Sequence, residues 1–90
     1  MVRLVFGNLI GNTELRNQAC RAALSVGLNI AEGAGQFGGC RKRHYRIAKG
    51  SVIEVVAAYE LATDIGETVP VEDVQRLGSA IAGMLAGMLR

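Results

Sequence analysis

The sequence predicts an all-α fold: an antiparallel helical bundle of three main helices with a short N-terminal segment, four-helix-bundle-like and completed by self-association. Three observations predict it. Apolar residues recur at steps of three and four, the spacing of a helix face. No alternating Val/Thr/Tyr runs bounded by turns offer a strand. Half of the 90 residues are apolar, yet only four are aromatic and none is Trp, so the core must be assembled from Leu, Ile, Val, Ala and Met, which suit close-packed helices. The length implies one domain, residues 1–90, burying a modest share of its surface, so association with other copies is expected to supply the missing burial.

The first main helix is predicted from about Thr13 to Ala31. Asn12 or Thr13 can cap its free N–H groups, and Gly33 is expected to end it in the left-handed conformation. Leu15, Ala19, Ala22, Val26 and Ile30 share one face, and Cys20, Leu24, Gly27 and Ala31 form a second apolar strip beside it. At 100° per residue the two strips cover more than half the circumference, which predicts a central position for this helix.

The second helix is predicted from about Cys40 to Ile65, with Tyr45, Ala48, Val52, Val55, Tyr59 and Ala62 as its buried seam and Gly66 as its stop. Gly50 costs its interior about 1 kcal/mol relative to Ala, which predicts a close neighbouring backbone there. The third helix starts near Pro70, whose fixed φ suits a first turn, and Glu72 and Asp73 complement the helix dipole. Val74, Leu77, Ile81, Met84 and Met88 form its expected seam. Ser79, Gly83 and Gly87 line up as small residues that would admit another helix closely.

Composition narrows the function. Cys20 and Cys40 match no metal-ligand spacing and read as idle thiols of a reducing, cytoplasmic compartment. Residues 1–12 are broken by two glycines and make a poor signal peptide, and the Leu77–Leu89 run falls short of the roughly 20 residues that span a bilayer. No membrane role is expected. Charge is divided along the chain: residues 1–50 carry eight Lys/Arg against Glu14 and Glu32, whereas residues 51–90 carry Arg76 and Arg90 against six acids. Such a dipolar chain can turn one face to an anionic partner or pair its halves between subunits.

Gly33-Ala34-Gly35-Gln36-Phe37-Gly38 spells G-x-G-x-x-G, but no strand precedes it and Gly33 closes a helix, so nucleotide binding is not expected. His44 is the only His and has no second ligand at suitable spacing, so neither a metal nor any other cofactor is expected. Ser25 and Ser51 sit in no nucleophile turn. Gln18, Arg21, Ser25, Asn29 and Glu32 on the first helix, with Ser51 and Glu54 on the second, are expected to form a polar network between them, with Arg21 and a partly buried Glu54 meeting as an ion pair. Arg41, Lys42, Arg43, Arg46 and Lys49 hold five of the ten cations near a helix N-terminus, where positive charge opposes the dipole. This cluster is the candidate nucleic-acid backbone site, with intersubunit pairing or a solvated face as the alternatives.

The run Arg21-Ala22-Ala23, Ser25, Asn29-Ile30-Ala31-Glu32-Gly33, then Ile47-Ala48-Lys49-Gly50-Ser51 with Glu54, and the C-terminal Met84-Leu85, Gly87 and Leu89, resembles the small bacterial four-helix-bundle proteins. These include the proteins encoded in intervening sequences of 23S rRNA genes and the accessory variability determinant of diversity-generating retroelements. The resemblance covers roughly Leu15 to Arg90; in place of the long amphipathic helix that usually opens such proteins this chain has Met1 to Asn12. It implies a non-enzymatic homo-oligomer, including cyclic five-fold rings, that binds nucleic acid or acts as an adaptor beside a reverse transcriptase. A purely structural homo-oligomer with no nucleic-acid role is the alternative.

Overall fold

The computed structural model describes residues 1–90. It contains four helices and no strand: α1 (Val2–Gly7), α2 (Thr13–Ala34), α3 (Gly38–Asp64) and α4 (Val71–Met88). They form a rod of 43 × 20 × 17 Å. The N-terminal segment is therefore helical for six residues. No helix is long and apolar enough to cross a membrane.

Each main helix starts and stops for a local reason. The Asn12 side chain accepts a hydrogen bond from the Leu15 N–H at 3.0 Å, which satisfies one of the donors the first turn leaves free. Glu67 adds a second device: its carboxylate accepts from the Gly11 N–H at 2.6 Å and the Asn12 N–H at 2.9 Å, placing negative charge at the positive end of α2. α3 ends at Asp64, and Gly66 takes φ +96°, a conformation open to glycine at little cost. Gly33 does not end α2. The helix continues to Ala34, and the positive φ falls on Gly38 at the start of α3.

Gly33 is needed for packing instead. A Cβ there would lie 2.5 Å from a ring carbon of Tyr45, so only glycine lets α3 press its tyrosine onto α2. Gly78 does the same on α4, where a Cβ would meet a Val56 methyl at 2.6 Å. Gly50, by contrast, is exposed with nothing within 4 Å, so no neighbouring backbone explains it. Gly83 and Gly87 also face open space; within one chain the Ser79–Gly83–Gly87 strip meets no helix.

The centre of the molecule is α3, not α2. Its seam of Tyr45, Ala48, Val52, Val55, Tyr59 and Ala62 is buried as predicted, and α2 and α4 both lie against it. Of the two apolar strips on α2 the first is covered; of the second only Cys20 packs against the core, while Leu24, Gly27 and Ala31 are exposed, as is Leu28 beside them. On α4 the buried positions are Val74, Gly78 and Leu85, whereas Met84 and Met88 are about half exposed. Close contact at Gly78 rotates α4 until Leu85, not Met84, points into the core. Full burial of a leucine such as Leu85 stabilises by roughly 1.5–3 kcal/mol.

The core divides in two. Val5, Ile10, Ala22, Val55, Tyr59 and Val74 belong to a larger cluster where α1 caps the bundle. Val26, Tyr45, Ala48, Val52 and Leu85 form a smaller one toward the α2–α3 turn. The Tyr59 hydroxyl ties α1 to α3 by donating to the Asn8 carbonyl oxygen at 2.7 Å.

Candidate functional site

The candidate site is the N-terminal half of α3. Its first turn has no acidic residue and no side-chain cap, so the positive end of the helix dipole is not neutralised there. Arg41 stands apart from the other cations. Its Nε donates to the Gly33 and Gln36 carbonyl oxygens at 3.3 and 3.0 Å, and its guanidinium carbon lies 5.9 Å from the centre of the Phe37 ring. This half-buried arginine fastens the α2–α3 turn by bridging one carbonyl of the last turn of α2, which also accepts from the Gln36 N–H, and one in the turn itself.

Lys42, Arg43 and Arg46 are exposed and Lys49 is half-buried. On α3, Lys42, Arg43 and Arg46 face away from the buried seam, and Lys49 flanks it on the side of α4. None has a carboxylate within ion-pair distance; the single ion pair of the molecule is Arg76–Asp73, at 3.2 Å on the exposed surface of α4. The four cations thus project from one end of the rod. Glu60, Asp64, Glu67, Glu72 and Asp73 lie around the other, where α3 ends and α4 begins.

The polar network between α2 and α3 joins Gln18, Ser25, Asn29, Ser51 and Glu54 of the expected set, adds His44 and leaves out Arg21 and Glu32. The Ser51 hydroxyl donates to Ser25 Oγ at 2.8 Å. The Asn29 amide donates to Ser25 Oγ at 3.1 Å and to the Ser25 carbonyl oxygen at 2.9 Å. Asn29 Oδ1 therefore faces His44 Nδ1 at 3.0 Å, which makes Nδ1–H the donor. Asn29 and Ser51 hold the seam together with Ser25 and His44. Arg21 and Glu32 are exposed and take no part. Glu54 is also exposed, and its carboxylate accepts from the Gln18 amide at 2.6 Å. The expected Arg21–Glu54 ion pair does not form, because Glu54 meets the α2 residue one turn earlier.

This arrangement does not hold a nucleophile against a base. His44 contacts an asparagine, not a serine, so neither hydroxyl has a group positioned to take its proton. No cluster of three or more His, Cys, Asp or Glu has the geometry to hold a metal ion. Cys20 and Cys40 are free.

Local spacing missed three functional contacts of the fold. The Glu67 bonds to Gly11 and Asn12 span more than fifty residues, and so does the Tyr59–Asn8 bond. Burial, and secondarily the proximity of Cys20, pushes the Tyr59 hydroxyl up to about 12. The anchoring of Arg41 was also missed; a basic residue two positions after a pair of glycines at a helix–helix turn is the only signal that pointed to it.

A family model described as 23S rRNA-intervening sequence protein matches residues 8–87. No curated protein and no solved structure matches the chain.

Proposed function

The chain belongs to the 23S rRNA-intervening sequence protein family, and within it we propose a non-enzymatic role: binding the phosphate backbone of nucleic acid through Lys42, Arg43, Arg46 and Lys49. One observation carries this reading. These cations crowd into about two turns of α3 without a single acidic partner, at the helix end whose dipole is also positive. A row of phosphates neutralises both, and releases counterions in doing so. Arg41 supports the site by holding the turn, not by contacting the ligand.

The site offers little to read bases. Tyr45 is buried against Gly33 and is not free to stack, and the cluster has no Asn or Gln in its exposed sector to pair with adenine. Binding is therefore to backbone and insensitive to sequence. The order of contacts, Gly33 with Arg41, Asn29 with His44, Ser25 with Ser51 and Gln18 with Glu54, supports an antiparallel bundle as its scaffold. The resemblance of Asn29-Ile30-Ala31-Glu32-Gly33 and Ile47-Ala48-Lys49-Gly50-Ser51 to retroelement accessory proteins makes a reverse transcriptase the protein partner in this proposal, and the free cysteines favour a reducing, cytoplasmic setting.

Fluorescence anisotropy with RNA and DNA duplexes of unrelated sequence tests the proposal. Comparable affinity for all of them, weakened in a Lys42→Gln, Arg46→Gln, Lys49→Gln variant, is the expected result. Absence of binding at low salt overturns it. The structural-oligomer alternative is favoured by a separate observation, the exposure of Ile53 and Leu61 on α3 beyond the cations.

A further inference from the structure

The turn between α2 and α3 carries the most exposed large apolar side chain of the molecule. Phe37 is 85 % exposed, against 65 % for Leu28, the next. Its backbone is extended at the N-cap of α3, and the ring is not folded onto the core. The residues that follow do not cover it: Gly38 and Gly39 have no side chain, and a Cβ at either would still meet nothing within 4 Å.

One face of the ring is nonetheless held. The Arg41 guanidinium carbon lies 5.9 Å from the ring centre, within the range of a cation–π contact. The same guanidinium is itself fixed, since its Nε donates to the Gly33 and Gln36 carbonyl oxygens. The ring is thereby set in one orientation with its other face open to solvent. An aromatic surface oriented before its ligand arrives loses little freedom on binding.

The position of this platform decides what it fits. Lys42 and Arg43 follow Phe37 by five and six residues, roughly 8–9 Å along the helix axis, and no carboxylate pairs with either. A flat apolar face beside unpaired cations matches a nucleotide, whose base is planar and whose phosphate is anionic. In a duplex each base is covered by its stacked neighbours, whereas in a single strand it can be turned out. We propose that Phe37 is a stacking platform for an unpaired base, and that it raises the affinity of the basic end of the rod for single strands relative to duplex. Every base has a π-face, so stacking selects strand form without selecting sequence.

The inference rests on the phosphate-binding reading of Lys42, Arg43, Arg46 and Lys49, and adds to it a contact that separates one form of nucleic acid from another. Tyr45 cannot serve instead, being buried against Gly33. A protein partner is the poorer match, because Gln36, Gly38 and Gly39 beside the ring extend no apolar patch on which a protein would dock.

The chain has no tryptophan, so Phe37→Trp places a single fluorophore in the platform. Its emission is followed during titration with a mixed-sequence single-stranded DNA and with a long duplex of the same sequence. Anisotropy measures the affinity of wild type, Phe37→Ala and Phe37→Trp for both, and circular dichroism verifies that the variants fold. Phe37→Ala should lose about 5- to 150-fold in single-strand affinity with little change on duplex. Phe37→Trp should keep the affinity and be quenched by the single strand more than by the duplex. Equal single-strand affinity of wild type and Phe37→Ala, a loss of the same size on both forms, or an emission unmoved by a single strand that anisotropy shows to be bound would overturn the stacking and leave phosphate binding standing. Emission that shifts with protein concentration alone would overturn it in favour of contact between copies. Absence of binding to either form at low salt would overturn both the stacking and the reading on which it rests.

Discussion

The Tyr59 hydroxyl donates to the Asn8 carbonyl oxygen at 2.7 Å and lies 3.3 Å from that of Val5, so one buried side chain of α3 closes the C-terminal end of α1. A six-residue helix is too short to persist alone in water; it is held by this bond and by the burial of Val5 and Ile10. Tyr59→Phe keeps the ring and removes the donor. It should destabilise the fold by about 1–3 kcal/mol, read by chemical denaturation, and should loosen α1 first, read by amide exchange at Val5 and Asn8.

The same residue sets an alkaline limit. Its hydroxyl titrates at about 12 in the folded chain against 10.0 for an ordinary tyrosine, so between those values the native state holds a proton that the unfolded state has lost. Stability from this group is complete below pH 10 and declines as pH rises toward 12. The difference in unfolding free energy between wild type and Tyr59→Phe should shrink across that window. A difference that stays constant would mean that burial does not govern the titration.

Two glycines on helices should respond oppositely to alanine. Gly33→Ala drives a Cβ into the Tyr45 ring and should cost about 1–3 kcal/mol. Gly83→Ala meets nothing within 4 Å and should stabilise the chain by up to about 1 kcal/mol through helix propensity. Thermal or denaturant unfolding of the two variants separates a glycine required by packing from one that is not.

The polar seam is testable by double-mutant cycles. Gln18 and Glu54, in contact at 2.6 Å, should show a coupling of a few tenths of a kcal/mol to about 1 kcal/mol, the range of exposed polar pairs. Arg21 and Glu54 should be additive within error. Coupling in the second cycle and none in the first would reverse the assignment.

How far these features were legible in the sequence follows from the range of the interactions. The α3 seam from Tyr45 to Ala62 was readable because a helix packed on both sides has one unbroken apolar row, although Ile47, Ile53 and Leu61 lie exposed off it. On α4 the apolar sector is wide, including Leu77, Ile81, Met84, Leu85 and Met88, so periodicity alone did not select its middle. Gly78 selected it, by allowing contact with Val56. The width of the α2 apolar surface suggested a central helix, yet Leu24 and Leu28 face outward; apolar width reports surface that needs cover without saying what covers it. The Arg21–Glu54 pairing failed for a related reason, since helix spacing gives azimuth but not the relative height of two helices. One turn of offset gave Glu54 to Gln18. Of the basic cluster, the cations themselves were plain in the sequence, whereas the diversion of Arg41 to the carbonyls of Gly33 and Gln36 depended on where the turn folds back.

The central claim is that Lys42, Arg43, Arg46 and Lys49 bind phosphates, and the salt dependence of duplex binding tests it most directly. With protein kept at nanomolar concentration, below self-association, the logarithm of the binding constant should fall linearly with the logarithm of salt concentration, at about −0.9 for each phosphate neutralised on DNA. Replacing Lys42, Arg46 and Lys49 by Gln should flatten that slope by about 2–3 and weaken unrelated sequences alike, with helicity unchanged. A wild type whose binding is absent or indifferent to salt, or a triple variant with the wild-type slope, would contradict the account.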